Sequence, residues 1–284
     1  MRPPFAYYGG KGRLAPWIAS LMPAHRVYVE PFAGSAAVLL AKPPATHEIL
    51  NDVDGNIVTF FRVLRDRPDD LERVCRLTPY AREEFELCSP DLVGADVDDV
   101  ERARRWWART SMSFASTGTN ATGFSTSILR GSNNARSMAN RVERFLEVAE
   151  RLRNVTIDNR DAVDVLERND AVDAVAYLDP PYLDSTRTSY RDGRRPGGDY
   201  AHEMQGEDDH RRLAEAARQY SGTVIVSGYP SPIYDEDLYA GWYRVERQVV
   251  RRSSNGRSST LPIATEVLWS NRDLERTPTL WEAS

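Results

Sequence analysis

Asp179-Pro180-Pro181-Tyr182 places a carboxylate, two rigid backbone positions and an aromatic ring within four residues. Proline fixes φ, holds the residue before it extended and has no N–H to give to a sheet ladder. The tetrapeptide is therefore a stiff turn. Asp179 offers acceptors for an N–H, the Pro180 carbonyl offers another, and Tyr182 offers a flat face. Such a set suits an exocyclic amine on a planar heterocycle: two acceptors take the two amine hydrogens, the ring stacks on the base, and the nitrogen lone pair is left facing an electrophile. An ordinary strand-to-loop turn with a solvated aspartate has the same composition, so the tetrapeptide alone leaves both readings open.

Three further stretches carry chemistry. Tyr7-Tyr8-Gly9-Gly10-Lys11-Gly12 joins an aromatic pair, a glycine turn and an ammonium. Its spacing is not that of a P-loop, which needs four residues between the first Gly and Gly-Lys and then Ser or Thr. A backbone turn with one point charge suits a carboxylate or another small anion, although a plain surface turn reads the same way. Glu30-Pro31-Phe32-Ala33-Gly34-Ser35-Ala36 follows a short strand and precedes an apolar helix, a thin version of a nucleotide-binding βα unit with one glycine where the dinucleotide fingerprint has three. A second strand then ends at Asp52 and Asp54. An acid there is where such folds hold a ribose diol; the competing role is to cap the next helix, which Asp54 can also fill.

Two long polar stretches complete the candidates. Ser116–Asn134 is dense in Ser, Thr, Gly and Asn, and Asn120, Ser127, Arg130, Asn133 and Asn134 have side chains that read base edges and phosphates. A flexible loop has the same texture. Asp184–Gly206 contains four arginines, Arg187 among them, and follows the Asp-Pro-Pro-Tyr turn directly, so it is placed to close over a substrate.

The elements that must position these groups are legible as apolar runs. Val172–Leu178 is apolar except for Asp173 and reads as a buried strand of a parallel sheet ending at Asp179. Strands are expected near residues 27, 48, 156, 175, 225, 246 and 267. Helices alternate with the first five, and the last two connect without a helix, so they are antiparallel. The expected fold is a Rossmann-like α/β seven-stranded, mostly parallel sheet. Residues 62–150 lack strand patterns and read as a mainly helical insertion, with Trp106, Trp107 and Phe114 expected in its core and one helix over Arg136–Leu152. The sheet would then comprise 1–61 and 151–284.

Composition bounds the setting. At 284 residues, 41% hydrophobic and 28% charged, the chain is ordinary for a globular protein. It shows no apolar stretch of membrane-spanning length and no signal-peptide pattern. Cys75 and Cys88 have neither zinc nor disulfide spacing, and a cytoplasmic protein without a metal is expected. The net charge of −5 speaks against nucleic acid as a whole, but arginines cluster at 102–105, 130–144, 187–195 and 247–257, and local basic surface on an acidic chain can bind phosphate. Of the 37 basic residues only Lys11 and Lys42 are lysine, which singles out Lys11 within its glycine turn.

In order and spacing, Phe5–Lys11, Glu30–Ser35, Asn51-Asp52 and Asp179–Tyr182 resemble four motifs of the Dam-like, D12-class DNA adenine N6-methyltransferases, and the resemblance covers most of the chain. It implies the fold of S-adenosylmethionine-dependent methyltransferases, with the helical insertion as a target-recognition domain. Carried over by position, Tyr7 and Lys11 would contact S-adenosylmethionine, Phe32 and Gly34 would line it, Asp52 would hold its ribose, and Asp161 would meet its adenine end. Asp179 and Pro180 would bind the N6 amine of an adenine flipped out of double-stranded DNA, with Tyr182 stacked on the base. Ala36 departs from the family, where many members carry a second glycine. No metal is implied, and a monomer is expected with a dimer open. The alternatives are methylation of cytosine N4 or of RNA, and a DNA-binding protein of the same fold without activity. Asp as the first motif residue favours adenine by resemblance, and the single-glycine turn disfavours a nicotinamide-dependent oxidoreductase.

Overall fold

Ala174–Leu178 forms strand β4, buried at all five positions. It lies between β1 (Val27–Glu30) and β5 (Thr223–Gly228), parallel to both. Beyond β1 the sheet continues through β2 (His47–Asn51) and β3 (Val155–Asp158), also parallel. On the other side the hairpin of β6 (Tyr243–Val250) and β7 (Ile263–Ser270) docks antiparallel through β7. The seven strands run in the order β3-β2-β1-β4-β5-β7-β6. These features belong to a computed structural model that describes residues 1–89, 96–114, 123–126, 133–182, 206–250 and 263–275. The sheet and its antiparallel edge are as the sequence predicts.

The strand order reverses between β1 and β4. In an open α/β sheet the carboxyl ends of strands at such a switch leave a crevice, because the connections depart to opposite faces. The loops after β1 and β4 are Pro31–Ala36 and Asp179–Tyr182, so topology brings the two best motifs together.

Period-two alternation divides the core between the two faces. On one face Tyr28, Leu50, Val175, Tyr177, Ile225 and Leu268 pack with α1 (Ala15–Ser20), α2 (Ala37–Ala41) and α3 (Gly55–Asp66). The helical segment joins the same core through α4 (Pro68–Leu77), α5 (Arg82–Leu87), α6 (Asp99–Met112), α7 (Asn134–Val142) and α8 (Phe145–Leu152). On the opposite face Val29, Ala176, Leu178, Val226 and Trp269 meet α9 (Ala162–Arg168), α10 (Glu207–Gln219) and a π-helical turn, Ile233–Leu238.

Helix starts follow ordinary capping chemistry. Asp54 accepts from Asn56 N, Asp98 from Glu101 N and Asp161 from Val163 N, and Pro68 opens α4. An aromatic group fixes the first loop. Phe5, 2% exposed, meets Phe60 at 5.1 Å and Trp106 at 4.8 Å, both edge to face. Each such pair contributes about 0.5–1.5 kcal/mol beyond its buried area, so the chain entering Tyr7–Lys11 is anchored from α3 and α6.

Three expectations need correction. Phe114 is not core: α6 ends at Met112, the chain bends, and Phe114 N bonds Gly123 O, leaving its ring 52% exposed. Arg136–Leu152 is not one helix. It breaks at Glu143-Arg144, where Arg144 N turns back to Arg141 O, so that Val142 and Phe145 both enter the core. Arg104 and Arg105, read as part of a basic cluster, are paired internally: Arg104 bridges Glu84 and Glu101, and Arg105 also meets Glu101.

Candidate active site

The glycine loop is built around one close approach. Gly10 N donates to Tyr7 O at 3.0 Å, and a Cβ on Gly10 would lie 2.9 Å from that carbonyl. Gly9 has φ +71°, a region that favours glycine. The turn delivers Lys11 to the start of α1, where its carbonyl takes Leu14 N and Ala15 N, while its side chain runs inward. Lys11 is 6% exposed. Its Nζ donates to Asp179 Oδ1 and to the Tyr182 hydroxyl, both at 2.6 Å, and lies 3.5 Å from Glu266 Oε1.

Alternation explains why these groups meet. Side chains two apart on a strand share a face. Glu30 follows Tyr28, Asp179 follows Tyr177, and Ser227 follows Ile225. On the antiparallel β7, Glu266 precedes Leu268. All four apolar partners pack in the same core, so four polar groups from β1, β4, β5 and β7 crown one face at the carboxyl edge. Ser227 donates to Asp179 Oδ1 at 3.0 Å, and the Tyr182 hydroxyl donates to Glu266 at 3.1 Å. Asp179 is thus held through Oδ1; Oδ2 takes no hydrogen bond among the described residues. The Tyr182 ring lies 4.6 Å from that of Tyr229.

The loop after β1 is shaped by Asp52. Gly34 has φ +45°, and its N–H donates to Asp52 Oδ2 at 2.9 Å while Asp54 N donates to Oδ1 at 3.0 Å. Asn51 ties two loops together: its amide gives to Pro31 O and Arg160 O, and its oxygen takes Arg160 N. Ala36 also occupies the left-handed region, at φ +54°, but it is fully buried in the core and does not line the cavity.

Burial sets the protonation of the pocket's acids. It opposes charge on Lys11, yet Asp179 and Glu266 more than offset this and raise its pKa. Burial pushes the Glu30 carboxyl up to about 8, against hydrogen bonds from Tyr28 and Leu39 N. It pushes Asp52 up to about 7, against the N–H groups of Asp54 and Gly34. Glu266 is raised by burial as well, with Lys11 opposing.

Tyr7, Lys11, Phe32, Gly34, Asp52, Asp179, Pro180 and Tyr182 all border one cavity. Asp161 does not. It caps α9, pairs with Arg212 at 2.5 Å, and borders a neighbouring cavity that shares Phe32 and Val53 with the first. Asn133 is exposed and caps α7 through Arg136 N, so its side chain serves the helix. Asn120, Ser127, Arg130 and Arg187 lie outside the described residues. Sequence reasoning missed Ser227 and Glu266 as members of the site, and Glu30 as a pocket acid. For Ser227 and Glu30 the available signal was a hydroxyl or acid two positions from a core residue near a strand's end; Glu266 lies in the middle of β7 and carries no such mark.

Among the described residues no helix is long and apolar enough to cross a membrane, and no group of three or more His, Cys, Asp or Glu could hold a metal ion. The family model described as D12 class N6 adenine-specific DNA methyltransferase matches residues 7–251. No curated protein matches. Among solved structures the chain is similar to precorrin 8w decarboxylase of Methanobacterium thermoautotrophicum, at 12% identity and a TM-score of 0.42 over 96% of this chain and 100% of that one.

Proposed function

The chain belongs to the D12 class of N6 adenine-specific DNA methyltransferases, enzymes that methylate the adenine N6 amine in DNA, and on that premise we propose how its own residues do so. The cavity between β1 and β4 holds S-adenosylmethionine, and Asp179, Pro180 and Tyr182 hold the target adenine. The observation that carries this reading is the restraint on Asp179: Lys11 and Ser227 occupy Oδ1, which leaves Oδ2 to accept from an incoming amine.

The residues fit the cofactor. A Cβ on Gly34 would lie 3.2 Å from the Tyr7 ring, so glycine keeps a flat cradle open there. Asp52, fixed by two N–H groups, retains lone pairs for a ribose diol. Val53 and Phe32 border both cavities, which suits a ligand reaching from Asp179 towards Asp161. Bound there, S-adenosylmethionine supplies an electrophilic methyl group.

Adenine N6 is a weak nucleophile because its lone pair is delocalised into the ring. Asp179 and the Pro180 carbonyl accept its two hydrogens and favour a more tetrahedral nitrogen. Held by Asp179 and the Pro180 carbonyl, the amine would present its lone pair to the methyl group that the cofactor would supply, and the proton released on transfer would pass to solvent. Positioning and fixed dipoles supply the rate. The amine of a paired base is out of reach, so the adenine leaves the stack and Tyr182 replaces part of the lost stacking.

Residues 62–150 form the DNA-recognition portion. Arg136, Arg141 and Arg144 flank the break between α7 and α8, and none of them forms an ion pair among the described residues. Burial, then Arg144 nearby, holds the Arg141 pKa below its ordinary value, and a phosphate backbone beside the pair would relieve that repulsion.

The test is to incubate the protein with methyl-labelled S-adenosylmethionine and unmethylated DNA, digest to nucleosides and identify the labelled base, with Asp179→Ala alongside. Label in N6-methyladenine that disappears with Asp179→Ala is the expected result. Label in N4-methylcytosine, or undiminished transfer by Asp179→Ala, would overturn the reading.

A further inference from the structure

Glu266 is the group at this site that comes from farthest along the chain. Because β7 runs antiparallel and Val267 pairs with Gly228, the last residue of β5, Glu266 reaches one position past the end of β5 at the carboxyl edge of the sheet. Its neighbour Val267 packs in the opposite core, as does Trp269, so Glu266 faces the Lys11 side with Leu268. It is 3% exposed. A carboxylate withdrawn from water this far is costly without partners, and a glutamine would fill the same space. Two groups justify the acid. The Tyr182 hydroxyl donates to Oε1 at 3.1 Å, and Lys11 Nζ lies 3.5 Å from the same oxygen.

The hydroxyl of Tyr182 thereby has a defined polarity. It has one hydrogen, which points to Glu266, and its lone pair receives the hydrogen from Lys11 at 2.6 Å. Both ends of the ring's polar handle are fixed, and a phenol held at its hydroxyl cannot change tilt freely. Lys11 in turn sits between two carboxylates, Glu266 behind it and Asp179 in front. Without the rear acid, the ammonium's only carboxylate partner is the one that must receive the substrate amine.

We propose that Glu266 is a positioning residue for methyl transfer, acting through the Tyr182 hydroxyl to set the tilt of the base-stacking ring and through Lys11 to hold that ammonium against Asp179. The inference rests on the assignment of Asp179 and Tyr182 given above. Glu266 does not line the cavity assigned to the cofactor and the target base. Its removal therefore alters turnover rather than cofactor affinity.

A double-mutant cycle on the full chain tests it, with label transfer from S-adenosylmethionine to unmethylated DNA as the activity and binding of S-adenosylhomocysteine as the check on fold and pocket. Glu266→Gln is expected to lower kcat roughly 10- to 100-fold, since small misplacements of reacting groups cost that much, with KM for S-adenosylmethionine within about twofold. Tyr182→Phe keeps the ring and removes the hydroxyl, so adding Glu266→Gln to it should cost much less than Glu266→Gln alone. Glu266→Asp, which keeps the charge, should retain more activity than Glu266→Gln; it also serves if the glutamine variant fails to fold. Unchanged kcat in Glu266→Gln, or fully multiplicative losses in the double variant, would overturn the proposal. Asp179→Ala separates the two levels: if it is inactive while Glu266→Gln is fully active, only this inference fails, and if Asp179→Ala is active, the site assignment itself fails.

Discussion

Lys11 Nζ lies 2.6 Å from Asp179 Oδ1, joining the first loop of the chain to a residue 168 positions later. The bond crosses the cavity wall between the two motifs and is largely shielded from water. One nitrogen serves four oxygens there, including Gly9 O at 3.4 Å. Lys11→Met leaves Asp179 and Glu266 without their cation. Breaking a buried pair by removing one partner costs about 3–5 kcal/mol, so its thermal midpoint should fall clearly and methyl transfer should drop by about 100-fold or more. Lys11→Arg keeps the charge but brings a planar fork into a site shaped for a point charge, and should also be impaired. Wild-type turnover by the arginine variant would show that charge alone suffices.

Gly34→Ala tests the cradle. The substitution adds a methyl group 3.2 Å from the Tyr7 ring at a backbone angle that side chains resist. The affected contact lies beside Asp52, in the part of the cavity proposed for the cofactor. KM for S-adenosylmethionine should rise roughly 10-fold with kcat much less affected, as expected when a binding contact is lost uniformly. Steady-state kinetics with varied S-adenosylmethionine read this directly; a fall in kcat at unchanged KM would contradict it.

Stability should depend on pH through Glu30. Its carboxyl titrates near 8 in the fold against an ordinary value of 4.5, so between those limits the folded chain holds a proton that the unfolded chain has lost. Stability from this group is fully present below 4.5 and is lost as pH rises towards 8, a difference of about 5 kcal/mol at most. Chemical denaturation from pH 5 to 8.5 should show wild-type stability falling, and Glu30→Gln should flatten the fall. Glu266, raised in the same direction, keeps some slope in the variant. Identical slopes in the two proteins would remove Glu30 from the account.

Gly222→Ala addresses the scaffold alone. A Cβ there would collide with the carbonyl oxygens of Ala174 and Ala171, which are backbone and cannot step aside. Overpacking of this kind costs about 1–3 kcal/mol. The urea midpoint should drop accordingly while the folded enzyme keeps its KM for S-adenosylmethionine, because the turn lies at the opposite edge of the sheet from the cavity. A midpoint equal to wild type would mean that the turn relaxes.

What the sequence discloses here is local and what it hides is register. Asp179-Pro180-Pro181-Tyr182 was legible because proline restricts its own neighbours, and the apolar runs marked the strands without reference to one another. Asp52 and Asp54 could be seen to share a cap and a binding role, and the structure divides them: Asp54 caps α3 while Asp52 takes Gly34 N. Glu266 stayed hidden because its place depends on which residue of β7 faces Gly228. The break at Glu143-Arg144 carries neither Pro nor Gly, and the reversal after Met112 is set by pairing with residues beyond a polar stretch. Asn133, chosen for its side chain, proved to be capping its own helix.

Both lysines of the chain are buried, Lys11 at 6% and Lys42 at 3% exposure, with Lys42 held 2.6 Å from Glu48. Apart from four histidines, every other basic side chain is arginine. The folded surface therefore presents no lysine amine to acylating or formaldehyde-type reagents. Amine-directed labelling of lysine should stay silent until the chain opens, and the modification that then appears at Lys11 marks the parting of the first loop from Asp179.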